Sequence, residues 1–209
     1  MTQRIPFPQM RRPLVAILRG VRPEEATAVF EVLVDEGFEA IEVPLNSPDP
    51  FRTIEAAVVK FGHSALIGAG TVLEAENVDR LADIGAKLVV TPNTDPAIIG
   101  RAAGHGMIVM PGVFTPTEAL LAWKSGASAL KFFPAGVLGA TGIAAIRPVL
   151  PPEAPVAAVG GVSEAEFATY MRVGINAFGI GSSLYKPGLT VAEVRTRARA
   201  IVAAYDAVG

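Results

Sequence analysis

The sequence predicts a (β/α)8 barrel formed by residues 1–209 as a single domain, and three observations lead there. Eight short apolar runs recur along the chain. Their starts lie roughly 20 to 27 residues apart, about one strand, one helix and two short loops. Several of the stretches between them open with helix-capping signals. A doubly wound open sheet is the alternative, but the dinucleotide fingerprint that fold would want is missing.

The runs are too short for helices, apolar on both parities and punctuated by Gly or Pro, as expected of parallel strands covered on both faces. The first is PLVAILR (13–19); period-two alternation points Val15, Ile17 and Arg19 inward, with Arg19 last. Residues 1–12 before it carry no strand signal and are left to cover the barrel bottom. AIEVPL (40–45) sends Glu42 inward between outward Ile41 and Val43. ALIGAG (65–70) ends at Thr71, which offers a hydroxyl, and KLVVTP (87–92) begins at Lys87 and ends near Pro92 and Asn93. MIVMPG (107–112) follows. ALKFFP (129–134) puts Ala129, Lys131 and Phe133 on one face and Leu130 and Phe132 on the other; the bulky pair suits the helix-covered outside, so Lys131 points into the barrel near its top. PVAAVGG (155–161) and NAFGIG (176–181) complete the set.

Thr115-Pro116-Thr117-Glu118, Ser163-Glu164-Ala165-Glu166 and Thr190-Val191-Ala192-Glu193 each set a hydroxyl three residues before Glu, the capping box that opens a helix. Beyond the last, Val191, Val194, Ala198, Ile201 and Tyr205 fall at helical spacing, which predicts an amphipathic closing helix.

In such a barrel the active site lies at the carboxyl ends of the strands. That criterion sorts the ionisable groups. Lys87 opens its strand and belongs to the bottom, Lys60 and Lys124 to helices, and Lys186 to a loop that would have to fold inward to matter. His63 and His105 precede strands and also sit at the bottom. Arg19, Glu42 and Lys131 remain, delivered to one mouth by three strands. An internal salt-bridge cluster filling the barrel top is the plain reading. The chemical reading is that Lys131, crowded by aromatic residues and by cationic Arg19, loses its proton near neutral pH and attacks a ketone as an amine. Glu42 would move protons, and the fork of Arg19 would hold a substrate carboxylate.

The seventh and eighth runs end in Val159-Gly160-Gly161 and Gly179-Ile180-Gly181-Ser182, at the loops where barrels frequently bind phosphate. Each glycine pair alone reads as a tight turn; together, at these two loops, they predict a phosphate site.

Composition narrows the classes further. With 51% hydrophobic residues, 18% charged and a net charge of -2, nothing favours a nucleic acid or an anionic membrane as partner. No apolar run is long enough to span a bilayer or to form a signal-peptide core. The chain has no cysteine, which excludes thiolate chemistry and points to a reducing cytoplasm. No His and carboxylate cluster has metal-ligand spacing, so no metal and no other cofactor is expected.

ILRG (17–20), IEVPLNSP (41–48), IGAGTV (67–72), VVTPN (89–93), MPG (110–112), ALKFFPA (129–135) and AVGGV (158–162) together resemble the KDPG/KDPGal aldolase family of class I, Schiff-base aldolases, in order and over nearly the whole chain. The resemblance implies a homotrimeric barrel. It implies cleavage of a phosphorylated keto-deoxy sugar acid to pyruvate and D-glyceraldehyde 3-phosphate, without metal or other cofactor. Carried over by position, it makes Lys131 the Schiff-base lysine and Glu42 the general acid/base. Arg19 and Thr71 become contacts to the pyruvoyl end, Pro92 and Phe133 pocket walls, and Gly160, Gly161, Gly181 and Ser182 the phosphate cradle. Val159 before the paired glycines, and Asn46 with no Arg after the base, resemble the galactonate branch rather than the gluconate branch. The substrates of those branches differ in configuration at C4, so the use of either or both epimers stays open here. An isomerase or epimerase on the same barrel would not need the amine of Lys131, and a phosphate-ligand sensor would need neither Lys131 nor Glu42.

Overall fold

The computed structural model describes residues 4–209. Strands and helices alternate along the chain: β1 (Leu14–Ile17), α1 (Pro23–Asp35), β2 (Ala40–Pro44), α2 (Pro50–Phe61), β3 (Leu66–Gly70), α3 (Ala75–Asp83), β4 (Leu88–Val90), α4 (Pro96–Gly104), β5 (Ile108–Met110) and β6 (Gly112–Val113). Then come α5 (Pro116–Lys124), β7 (Leu130–Phe132), α6 (Ala135–Ile146), β8 (Val156–Val159), α7 (Phe167–Met171), β9 (Ala177–Ile180) and α8 (Val191–Asp206). All paired strands are parallel, in the order β5-β4-β3-β2-β1-β9-β8-β7-β6. This is the expected barrel, with one difference of detail. The fifth run is split at Pro111 into β5 and β6, because proline has no N–H to give a ladder. Its carbonyl still accepts from the Lys131 N–H at 3.0 Å, and the Ser128 N–H reaches Val109 O at 2.9 Å, so the barrel closes across the break.

Two apolar layers follow from strand alternation. Leu14, Ala16, Ile41, Val43, Ile67, Leu130, Phe132 and Phe178 face outward into the helix layer, and Val15, Ala40, Leu88, Met110, Ala129 and Ala157 fill the barrel interior. Ile5, Phe7 and Met10 pack against that interior cluster. The described part of the segment before β1 therefore contributes apolar side chains to the core, while residues 1–3 fall outside the described residues.

The helices begin where capping chemistry places them. The Thr115 Oγ1 accepts from the Glu118 N–H at 3.3 Å and Glu118 accepts from the Thr115 N–H at 2.8 Å; Thr190 and Glu193 repeat the exchange. Along α8, Val194, Ala198 and Ile201 are buried, while Arg195 and Arg199 reach Glu36 beyond the end of α1. Val191 is partly exposed, since it stands in the first turn before the helix reaches the core. Behind Ser163 the capping box closes on a 3-10 turn, Glu164–Glu166, and only five residues of α-helix follow. The span 160–176 must also line the mouth and return the chain to β9, which leaves little length for a helix.

Candidate active site

At the carboxyl ends of the strands lies a cavity of about 830 Å3. Arg19, Glu42, Thr71, Pro92, Lys131, Phe133, Val159, Gly160, Gly161, Gly181 and Ser182 all line it. Every residue given a catalytic or binding role by the sequence is thus brought to one space, although Arg19, Thr71 and Phe133 stand just beyond their strands rather than within them. His63 and His105 are at the opposite end, in the turns closing α2 and α4.

Lys131 is central to β7 and only 5% exposed. Its Nζ donates to the main-chain oxygen of Thr91 at 2.9 Å and lies 4.6 Å from the centre of the Phe133 ring. Burial lowers its pKa to about 8; Glu42 opposes that shift and Arg19 adds to it. Glu42, 3% exposed on β2, moves the other way. Burial raises it to about 7, against the pull of Lys131 and Arg19 and of the Gly70 N–H. Its Oε2 is buried without a hydrogen-bond partner among the described residues. Among the described residues, neither Lys131 nor Glu42 takes part in an ion pair within 4.0 Å. A salt-bridge cluster does not fill this barrel top. What fills it is an amine drawn toward neutrality and a carboxyl group with an unspent oxygen, the pairing that proton transfer around a covalent intermediate requires.

The remaining walls separate into two ends. On the β1–β3 side, Arg19 donates from Nη1 to Asn46 Oδ1 at 2.7 Å and from Nη2 to Thr71 Oγ1 at 3.3 Å. Thr71 holds a positive φ of 54°, a region a β-branched residue seldom enters. Such an outlier at a cavity wall marks a side chain held in place by its surroundings. The Gly20 N–H beside Arg19 donates to Ser47 Oγ at 2.9 Å, so Asn46 and Ser47 together fix the β1–α1 loop. On the β8–β9 side, Gly160 has φ 85°, and a Cβ there would come within 2.9 Å of the Phe133 ring. No side chain can replace it without moving that wall. The N–H groups of Gly161, Val162, Ser182 and Ser183 make no hydrogen bond to the main chain among the described residues. All four residues line the cavity, and unpaired N–H groups at such a wall suit an anion.

Three contributors were missed in the sequence or given no part in the site. The Thr91 carbonyl is a main-chain group and leaves no side-chain signal. Asn46 stood out only by resemblance, not as the partner of Arg19. Lys186 does line the cavity, because the loop after β9 folds inward.

A family description, KDPG and KHG aldolase, matches residues 9–204. The chain belongs to that family. Within it, the chain is 62% identical over 205 residues to a protein of Rhizobium meliloti (strain 1021) called a probable 2-dehydro-3-deoxy-6-phosphogalactonate aldolase, covering 98% of this chain and 97% of that one. It is 47% identical to the 2-dehydro-3-deoxy-6-phosphogalactonate aldolase of Escherichia coli (strain K12), covering 94% and 96%. A solved structure described as native KDPGal superposes with a TM-score of 0.94 at 46% identity, covering 96% of this chain and 97% of that one. The family membership expected from the motifs is borne out, and the aldolase relatives share nearly the full length of the barrel.

Proposed function

We propose that this protein is a class I aldolase that cleaves 2-dehydro-3-deoxy-6-phosphogalactonate reversibly to pyruvate and D-glyceraldehyde 3-phosphate through a Schiff base on Lys131. The observation that carries the reading is the buried Lys131 amine, lowered in pKa and facing a cavity it shares with the unpaired carboxyl oxygen of Glu42.

The neutral Nζ attacks the C2 ketone, and a proton passes to the former carbonyl oxygen to give a carbinolamine. Glu42 in its protonated form assists loss of that oxygen as water, leaving a protonated imine and a carboxylate. The carboxylate then takes the proton of the C4 hydroxyl. The C3–C4 bond breaks as the C4–O bond becomes a carbonyl, and the bonding pair flows into the imine to form an enamine. Glyceraldehyde 3-phosphate leaves, the enamine is protonated at C3, and water releases pyruvate and the free amine. Arg19 and Thr71 hold the pyruvoyl end, Pro92 and Phe133 wall the reacting carbons, and Gly160, Gly161, Gly181 and Ser182 take the phosphate.

Val159 and Asn46 support the galactonate epimer. An apolar Val159 near C4 offers no hydrogen bond to a hydroxyl there, and a missing polar partner discriminates between isosteric substrates by roughly a few kcal/mol. Assembly as a homotrimer in the cytoplasm completes the proposal. The exposed Val137 and Val149 supply apolar surface for subunit contact, and a chain without cysteine suits a reducing compartment.

Borohydride added with pyruvate tests the chemistry: the expected result is a reduced pyruvate adduct on the peptide containing Lys131, lost in Lys131→Ala. Labelling elsewhere, or turnover by Lys131→Ala above trace rates, would overturn it. Parallel assays on the galactonate and gluconate epimers test the specificity, with the galactonate compound expected to be cleaved faster.

A further inference from the structure

The ionisable side chains around the cavity are unevenly placed. Glu42 and Lys131 come from β2 and β7, and Arg19, just after β1, reaches toward the ends of β2 and β3 through Asn46 and Thr71. On the opposite side, where Gly160, Gly161, Gly181 and Ser182 present main-chain groups, the charged lining residues are Glu166 and Lys186. Glu166 is engaged: its Oε2 accepts from the Ser163 N–H at 3.0 Å and from the Ser163 hydroxyl at 3.2 Å. Among the described residues, Lys186 takes part in no ion pair within 4.0 Å and no side-chain hydrogen bond.

The loop carrying Lys186 is held inward by contacts at several points. The Leu184 and Tyr185 N–H groups both donate to Gly181 O at 2.9 Å, closing a turn directly after the cradle. Tyr185, itself buried, donates its hydroxyl to Glu25 Oε1 on α1 at 2.9 Å. Arg197 of α8 donates to the carbonyls of Ser182 and Ser183, each at 3.4 Å. Pro187 packs on Gly20, where a Cβ would come within 2.8 Å of the proline ring. A four-point attachment of this kind fixes the backbone that carries Lys186 at the cavity wall and leaves its long, exposed side chain within reach of the cradle.

We propose that Lys186 is the cation that binds the phosphate of the substrate, completing a cradle whose other donors are neutral. This deepens the aldolase reading and rests on it for the identity of the substrate. A phosphomonoester carries a charge of about -1.5 to -2 at neutral pH. Neutral N–H groups give it geometry but little charge balance, and the Glu166 carboxylate nearby works against it. A flexible ammonium suits a phosphate because it acts as a point charge and needs no fixed plane. The same placement accounts for a loop tied down on both flanks. It also gives the cavity opposite duties at its two ends, with a guanidinium fork for a carboxylate and an ammonium for a phosphate.

The test is titration of inorganic phosphate into the full chain by calorimetry, on wild type, Lys186→Gln and Lys186→Arg, with thermal melts to confirm that each is folded. The wild type is expected to bind phosphate saturably. Lys186→Gln should weaken it roughly tenfold, in line with loss of one charge-assisted hydrogen bond at a partly exposed site. Lys186→Arg should retain affinity within a few-fold, and Lys186→Gln should raise KM for the phosphorylated substrate more than it lowers kcat. Phosphate affinity unaltered in Lys186→Gln, an equal loss in Lys186→Arg, or no saturable binding by the wild type overturns the assignment. Borohydride labelling of Lys131 reads the aldolase chemistry separately, so the two proposals can fail independently.

Discussion

Gly70 and the Glu42 carboxylate occupy adjoining space so closely that a Cβ on Gly70 would overlap Glu42 Oε2. The register places Pro44 of β2 beside Gly70 of β3, and the bare glycine leaves room for the glutamate to turn along the barrel mouth. Glycine here is a requirement of the carboxylate, not of a turn. Gly70→Ala should therefore displace Glu42 while the barrel persists. General acid–base catalysis contributes roughly a hundredfold to ten-thousandfold, so kcat/KM for cleavage should fall by about a hundredfold or more. Circular dichroism would confirm the fold, and an active Gly70→Ala variant would show that the orientation of Glu42 is dispensable.

The two buried groups set the expected pH dependence. Lys131, with its pKa lowered to about 8, gains its neutral form as pH rises, so borohydride trapping with pyruvate should increase through that range. Glu42, raised to about 7, loses its carboxylate form as pH falls, so cleavage should decline below about 7. The pair titrates together, and the apparent values belong to both. A negative Glu42 raises the pKa of Lys131, so removing that charge must lower it. In Glu42→Gln the rising limb of pyruvate trapping should move to lower pH while cleavage is lost. A limb that stays in place or moves upward contradicts the coupling.

Asn46 takes one of the donors of Arg19 at 2.7 Å and thereby orients the guanidinium toward the cavity. Asn46→Ala should raise the pyruvate concentration needed for half-maximal trapping about tenfold, the cost of one hydrogen bond to a charged group. Inorganic phosphate binds at the far end of the cavity in this scheme, and its affinity should be nearly untouched. Equal losses for both ligands would mean that the variant has disturbed the barrel mouth as a whole.

Stability near the split strand depends on a hydroxyl. Ser128 is 1% exposed and its Oγ accepts the Val109 N–H at 3.0 Å, just where β5 gives way to β6. Ser128→Ala leaves a buried N–H unpaired and should cost about 1–3 kcal/mol. Urea denaturation would show it as a lower midpoint with an unchanged slope. A midpoint equal to that of the wild type would mean that another acceptor reaches Val109.

Much of this was legible in the linear order of residues, for reasons of periodicity. Strand alternation is local, so Lys131 between Leu130 and Phe132, and Glu42 between Ile41 and Val43, declare their direction without any distant information. Spacing told which end of each strand they occupy, and a barrel gathers all such ends at one face. Capping boxes at Thr115 and Thr190 are equally local and appear as expected. The nearness of Arg19, Glu42 and Lys131 followed from topology alone.

What the chain could not declare are relationships between loops and between main-chain groups. Pairing of Lys131 with the Thr91 carbonyl, 40 residues away, depends on the twist and closure of the barrel, since every residue has a carbonyl and none advertises its own. The inward fold of Lys186 depends on Pro187 meeting Gly20 and on Tyr185 reaching Glu25, contacts between segments some 160 residues apart. Periodic burial writes itself into local sequence because each side chain faces core or water; loop paths do not, because they are set by whichever distant surfaces they happen to meet.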